Sequence, residues 1–337
     1  MSDPVLERIN YEPQHVELTP IRWPEGLAPE GTRYGRGSDD PLPPAEVVVV
    51  TWTYAEGEAL ADALTPGLPS TAWRPYAHLW SSYEAQLTDR SPARDAQCMA
   101  YVANVRIGSV QILALKSELH LATDGISAPI VQLWKQMVEE ARPEMIISTG
   151  TAGGIGEATQ LGDVFAVTNA KFNCTQTFKS KPWAEQLFRG PQLASDGHAE
   201  SFDSLTKPNA EHLRPVAKRD PRLTFGGTSG GVETIDYFGF ANTTDSYDIV
   251  RNYPDARTEE MDDATLPLAL SGIPDPPLWC SIRNASDPQV SSSIGDLQAQ
   301  ARWAQQIYEK YGYWTTIGSA IATWAVIANL KPTSSPT

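Results

Sequence analysis

A chain of 337 residues, 41% of them hydrophobic, has enough apolar material for one large α/β domain or two smaller ones. Its formal net charge of −15 argues against nucleic acid or an anionic membrane as a partner, because such surfaces repel an acidic protein. Cys98, Cys174 and Cys280 are odd in number and widely spaced, which excludes a disulfide framework or a cysteine metal site; with a polar N-terminus and apolar runs of only about ten residues, a cytoplasmic protein is expected.

Residues 1–45 hold Pro4, Pro13, Pro20, Pro24, Pro29, Pro41, Pro43 and Pro44 and read as an irregular, proline-rich N-terminal arm. The first strand is expected at Glu46–Trp52, where Val47–Val50 form a continuous apolar run suited to a buried strand. A helix follows over Ala55–Leu64, then an antiparallel pair, Val102–Val105 and Val110–Leu115, turned at Gly108. Ser127–Arg142 is the clearest helix: Ile130, Leu133, Trp134, Met137, Val138 and Ala141 share one face, Ser127 can cap it, and Pro143 stops it.

Strands are expected at Met145–Ser148 and Val164–Thr168, with a glycine-rich loop between them. Thr149, Gly150, Gly154 and Gly156 match the T-G-x-x-x-G-x-G pattern of short-chain dehydrogenases. A dinucleotide site, however, needs a helix after the glycines, inside a βαβ unit of ~30 residues. Here Leu161-Gly162-Asp163 makes a turn and a second strand begins about eight residues on; no Tyr in the chain has Lys four residues later. A strand–loop–strand of this kind instead brings bare backbone N–H groups close to a small ligand.

Residues 171–222 are polar, lack sustained periodicity and read as a long insertion with one short helix near Trp183–Phe188. Beyond it come a strand at Thr234–Phe240, a short helix at Ser246–Asn252, a helix over 260–271 kinked at Pro267, a strand at Leu278–Asn284, and helices at Asp296–Tyr313 and Ile317–Leu330. Strands alternating with helices make the class α/β, with residues 46–330 as one domain carrying the insertion.

The acids in informative places are Glu56, just after the first buried strand; Glu260 and Asp262, flanking Met261 at a helix start; and Asp287, after strand 278–284. Strand ends of α/β sheets are where ligands bind. Carboxylates there can bind a sugar diol, deprotonate water or protonate a leaving group. Each also has a plain structural reading: Glu56 as a helix cap, the 259–263 acids as a solvated helix start, Asp287 as a turn residue before Pro288. Arg283 stands out as a cation within an apolar strand.

Three segments in order carry a family resemblance. The stretch ILALKSELHLATDGISAPIVQLWKQMVEEARPEMIISTGTAGGIGEATQLGDVFAVTNA resembles the central block of the nucleoside phosphorylase/nucleosidase superfamily, strand, helix, strand, G-[ST]-x-G-G loop and L-G-D-V strand. TIDYFGFANTTDSYDIVRNYPDARTEEMDDATL is similar to its base-binding strand and V-E-M-E helix start, and LWCSIRNASDP to its R-x-x-S-D segment. The resemblance covers roughly residues 46–295 without the insertion. It implies a mixed, twisted central β-sheet surrounded by helices, with the site where the strands end. It also implies roles. Phe238 stacks on a purine base, Ala152 and Gly153 offer backbone contacts, Met261 packs on the ribose, and Asp262, in place of the usual Glu, binds the ribose hydroxyls beside Glu260. Asp287 protonates the purine at N7, which eases departure of a base that leaves poorly as an anion.

Two departures bear on what captures the sugar. Bacterial phosphorylases of the family carry Arg where this chain has Ser148, and TWTYAEGEAL lacks their G-D-P-x-R phosphate signature. Glu56 is placed as in the hydrolytic branch, so Glu56, Thr151 and Arg283 are expected to hold and activate a water. A third departure, Lys116-Ser117-Glu118-Leu119-His120-Leu121 for K-S-G-I-G-K, touches the same end of the pocket. The resemblance thus implies hydrolysis of a purine nucleoside to base plus sugar, with phosphorolysis and nucleoside binding without turnover as alternatives. It implies a homo-oligomer and no cofactor; no metal cluster is visible in the sequence.

Overall fold

The structure is a computed structural model that describes residues 17–156, 158–193, 198–225, 230–237, 249–288 and 297–330. In chain order its strands are β1 (Glu30–Thr32), β2 (Val47–Thr51), β3 (Arg74–Tyr76), β4 (Ala100–Ile107), β5 (Val110–Ser117), β6 (Met145–Gly154), β7 (Val164–Val167), β8 (Asn169–Asn173), β9 (Leu187–Arg189), β10 (Leu223–Phe225), β11 (Gly231–Ile235), β12 (Ala256–Glu260) and β13 (Leu278–Pro288). Its helices are α1 (Tyr54–Leu64), α2 (Trp80–Glu84), α3 (Pro92–Ala96), α4 (Pro129–Ala141), α5 (Phe202–Ala210), α6 (Ile249–Asn252), α7 (Thr265–Leu270) and α8 (Leu297–Ala328).

All these strands join one mixed sheet, as the alternation of strands and helices led us to expect. Its main path runs β1-β4-β5-β2-β6-β12-β11-β8-β9, with β13 bridging β6 and β7. Val47–Val50 read as a buried strand because β2 is parallel to both β5 and β6 and covered on both sides. Alternate residues enter different cores: Val48 and Val50 pack with α4 and α7, Val47 and Val49 with α1 and α8. The Gly108 hairpin is present, with β4 and β5 antiparallel from Ala100↔Ser117 to Ile107↔Val110.

Several local expectations are corrected. The strand at Met145 does not stop at Ser148 but runs through the glycines to Gly154. It can do so because β13 pairs along its whole length while β2 is replaced by β12 on its other edge. Ser127 does not cap α4; the N-cap is Ala128, in a left-handed conformation with no side-chain hydrogen bond, and Pro129 opens the helix. No helix forms at Trp183–Phe188: Trp183 packs on Phe172 and Phe178, and Leu187–Arg189 pairs with β8. The insertion does hold a helix, α5, which packs against α8. Residues 256–260 are a strand rather than a helix start, and the two C-terminal helices are one, α8.

Residues 17–45 of the arm are irregular apart from β1, which pairs with β4, and they touch the core: Trp23 meets Trp324 at 5.0 Å, and Trp324 Nε1 donates to the Leu27 carbonyl at 2.7 Å. No described helix is long and apolar enough to cross a membrane.

Candidate active site

Parallel β2 and β6 separate after Thr51, and the extended end of β6 continues between β12 and β13. Along Gly150–Gly153, near the carboxyl ends of parallel strands, lie four of the sequence-predicted residues, Glu56, Thr151, Arg283 and Asp287.

Glu56 enters from the first turn of α1 and is completely buried. It caps the helix, as its plain structural reading has it: Thr53 and Glu56 form a capping box. Oε2 accepts from Trp52 N at 2.9 Å, Thr53 N at 2.9 Å and Thr51 Oγ1 at 3.2 Å. Oε1 reaches across to β6, accepting from Thr151 N at 2.7 Å and Thr151 Oγ1 at 2.5 Å. The close approach needs a glycine next door: a Cβ on Gly150, whose φ is +155°, would stand 2.6 Å from Glu56 Cδ. Glu56 and Thr151 are therefore brought together, and all five donors to Glu56 are uncharged.

Arg283 lies on β13 opposite Gly150 and is 2% exposed. Its guanidinium forks onto Asp263, through Nε at 2.8 Å and through Nη2 to Oδ1, and reaches Glu260 Oε2 at 3.3 Å. Nη1 donates to the Thr151 carbonyl at 3.0 Å, which ties the cation to the segment that holds Glu56. Asp263 also receives Ser281 Oγ and, at 2.5 Å, Ser148 Oγ. Burial disfavours the charge on Arg283, but Asp263 and Glu260 more than offset that and raise its pKa. Asp263 was not singled out from the sequence; its signal there is only the acid run 259–263.

Glu260 ends β12 and turns inward. It accepts from Thr234 Oγ1 at 2.5 Å and from the N–H groups of Asp262 and Asp263 at 2.6 and 2.9 Å, which shapes the turn into α7. Burial, with Asp263 adding and Arg283 opposing, raises its pKa to about 8. Met261 is half-buried in that turn. Asp262 points the other way, accepting from Leu121 N at 2.8 Å and lying 3.3 Å from His120 Nδ1. Thus the segment that departs from K-S-G-I-G-K meets Asp262. Burial depresses His120's hold on a proton, but Asp262 and Asp124 reverse this and leave its pKa raised. The second cation at this end, Lys116, is 6% exposed and bound to Glu118 at 2.5 Å.

Asp287 sits within β13, past a bulge at Ala285/Asp287, and pairs with Gly153. It is half-buried, with Ser286 Oγ 2.7 Å from its Oδ1 and 3.3 Å from the Ala152 carbonyl. Glu56 and Asp287 thus meet the same four-residue stretch of β6, at Thr151 and Gly153, and share no direct hydrogen bond with each other. Phe238 lies outside the described residues. Sequence reasoning missed Glu259 and Glu233, paired in register on β12 and β11 and both buried. Glu233 shows in the sequence as one acid in the run GVETI, whereas Glu259 lies in ARTEE beside Arg257 and Glu260 and has no such signal. Among the described residues no group of His, Cys, Asp or Glu is arranged to hold a metal ion.

No family model and no curated protein matches the chain. Solved structures do, at low identity. Futalosine hydrolase of Helicobacter pylori superposes with a TM-score of 0.50 at 11% identity, covering 84% of this chain and 97% of that one. The 5′-methylthioadenosine/S-adenosylhomocysteine nucleosidase of the same organism, solved with butyl-thio-DADMe-Immucillin-A, gives 0.50 at 12%, covering 85% and 99%. A Borrelia burgdorferi protein described as such a nucleosidase, bound to adenine, gives 0.51 at 15%, covering 84% and 100%. At these identities the likeness establishes the fold: this chain has the nucleoside phosphorylase-like architecture, a mixed central sheet with helices around it.

Proposed function

We propose that the protein is a purine nucleosidase that hydrolyses the N-glycosidic bond of a nucleoside. Asp287 gives a proton to the base nitrogen as the C–N bond breaks and the sugar becomes oxocarbenium-like. Glu56 takes a proton from a water held with Thr151 and Arg283, and the water oxygen bonds to the anomeric carbon. Base and free sugar leave; the Asp287 end regains a proton and Glu56 loses one, in net exchange with solvent. Phe238 and the Ala152–Gly153 backbone receive the base, while Met261, Asp262 and Glu260 form the sugar side, with Asp262 acting through its His120-bound end.

The observation that carries this reading is the distribution of charge. Glu56 is a buried carboxylate surrounded by uncharged donors, and the cations described near it are already balanced: Arg283 by Asp263 and Glu260, Lys116 by Glu118, His120 by Asp262. A phosphate at this place would meet Glu56 without a free counter-charge, a repulsion of about 4 kcal/mol per pair of unit charges at 4 Å and an effective dielectric constant near 20. A water there meets a base. The three cysteines are free and buried, which supports a reducing cytoplasmic setting; a homo-oligomer is part of the proposal, to be tested by sedimentation.

The purified chain is to be incubated with adenosine, inosine, guanosine and 5′-methylthioadenosine in phosphate-free buffer, with released base resolved by chromatography. Base plus free sugar without phosphate is the expected result. Strict phosphate dependence with formation of a sugar 1-phosphate overturns hydrolysis in favour of phosphorolysis. Tight nucleoside binding without release of base favours a non-catalytic binding protein.

A further inference from the structure

Glu259 is 2% exposed, and neither of its carboxylate oxygens has a hydrogen-bond partner. A buried carboxyl without donors keeps its proton, because nothing replaces the water that would stabilise its charge. Pairing registers place it in a row. Glu259 stands opposite Glu233 on β11 and opposite Gly153 on β6, and Gly153 stands opposite Asp287 on β13. Paired residues project to the same side of a sheet, so three carboxyls follow one another there. Glycine leaves the space before Asp287 clear of a side chain. Glu260, the next residue along β12, faces the opposite side with Arg283, so the guanidinium does not serve this row.

The ionisable groups facing Glu259 among the described residues are Glu233 from β11 and Asp287 from β13, with Glu260 next to it on its own strand but turned to the other side. Around Glu233 and Tyr253 lie Asp255, Arg189 and Arg257. Burial, then Glu233, then Asp287 raise the Glu259 pKa well above the ordinary carboxylate range. Two carboxyls on adjacent strands, about 5 Å apart, do not both ionise at neutral pH when dry. The proton therefore stays on Glu259.

We propose that Glu259 is a positioning residue for the acid at Asp287: across the gap over Gly153 it keeps Asp287 protonated and returns a proton to it after each turnover. The inference rests on the N-glycosidic reading above. When the C–N bond breaks, the Asp287 proton moves to the base nitrogen and leaves with it. The carboxylate left at Asp287 takes the Glu259 proton by way of a water, because the two carboxyls share no direct hydrogen bond, and Glu259 regains one from solvent. The water proton taken by Glu56 returns to solvent, so protons balance.

The test compares the parent with Glu259→Gln and Glu259→Asp on two substrates, adenosine and 4-nitrophenyl β-D-ribofuranoside. Nitrophenolate leaves without a proton, so its release does not need the acid. For Glu259→Gln, adenosine turnover relative to nitrophenyl riboside turnover should fall at least about tenfold. The basic limb of kcat/KM for adenosine should move to lower pH, because the row loses the group that holds a proton for Asp287. Glu259→Asp should restore much of both. Equal loss on the two substrates, or superimposable pH profiles, overturns the inference and leaves the hydrolase reading intact. A parent inactive on every nucleoside and on the nitrophenyl riboside overturns both. Infrared spectra add a check independent of turnover: at pH 7 the protonated-carboxyl absorption should weaken in Glu259→Gln while that of Glu260 stays, and an unchanged intensity refutes the assignment.

Discussion

Glu56→Gln separates the capping role of this side chain from its proposed catalytic one. The carboxylate accepts from three backbone N–H groups, those of Trp52, Thr53 and Thr151, and from the hydroxyls of Thr51 and Thr151. An amide turns one acceptor into a donor. If its nitrogen replaces Oε2, it confronts two backbone N–H groups; if it replaces Oε1, it confronts one, and the Thr151 hydroxyl can reverse and accept. The second orientation is therefore favoured, with one buried charge-assisted bond lost, a cost of about 1.5–3 kcal/mol. For a chain of this size that corresponds to a melting temperature lower by roughly 2–4 °C. Hydrolysis of the best nucleoside should fall by ~10²–10⁴-fold, the scale for a removed base. Calorimetry and chromatographic assay of released base read the two effects separately. A variant that loses the expected stability but turns over at the parental rate refutes Glu56 as the base and leaves it a helix cap.

Other outcomes follow from the same geometry. Asp287→Asn should lower purine nucleoside turnover by ~10²–10⁴-fold with little change in the urea midpoint, since the side chain is only half-buried; a parental rate would exclude it as the acid. Asp263→Asn leaves Arg283 with Glu260 alone in a dry site and should cost about 3–5 kcal/mol by urea unfolding, far more than a surface ion pair. Stability should fall from pH 5 to pH 8. Burial raises Asp124 to about 6 and Glu260 to about 8, so the folded state holds protons that the unfolded state releases near pH 4–4.5. A urea midpoint that rises across that range contradicts this. Arg219→Ala removes a fork whose two nitrogens lie 2.6 Å from the Asp163 oxygens, and Asp163 backbone-bonds Ala285 beside the Asp287 bulge. About 1.5–3 kcal/mol of stability and part of the turnover should go with it.

What was legible in the sequence depended on short-range signals. Val47–Val50 announce a doubly covered strand, and the α4 stripe from Ile130 to Ala141 a helix on a core, because period and composition are properties of one segment. Glu56 was visible because a cap must stand at a helix start. The glycines of β6 were read as a loop since glycine is a poor strand former; pairing with β13 and β12 overrides that preference, and no local signal reports it. The acids of ARTEEMDD suggest a helix N-terminus, yet Glu259 and Glu260 lie on a strand between β11 and β6. The break expected between Tyr313 and Ile317 is absent: one helix, α8, runs through it and packs against β13 and α1. The carboxyl row was illegible because Glu233, Glu259 and Asp287 are brought together only by register.

The two sides of β12 set out the chemistry. On one side Glu260 and Asp263 enclose a guanidinium, and every member has partners. On the other, Glu259 has no donor and faces carboxyls. Glu56, above the end of β2, receives five hydrogen bonds and Glu259 receives none. Acid and base work in one pocket requires environments that push similar groups apart in proton affinity. Hydrogen bonds favour the charged form and dry contact with like charge favours the protonated one. On the proposed reading the Glu56 end accepts a proton and the row ending at Asp287 donates one. A phosphorylase would need only the second of these and a free cation at the first. With Arg283 committed to Asp263, the arrangement at Thr151 favours water as the nucleophile.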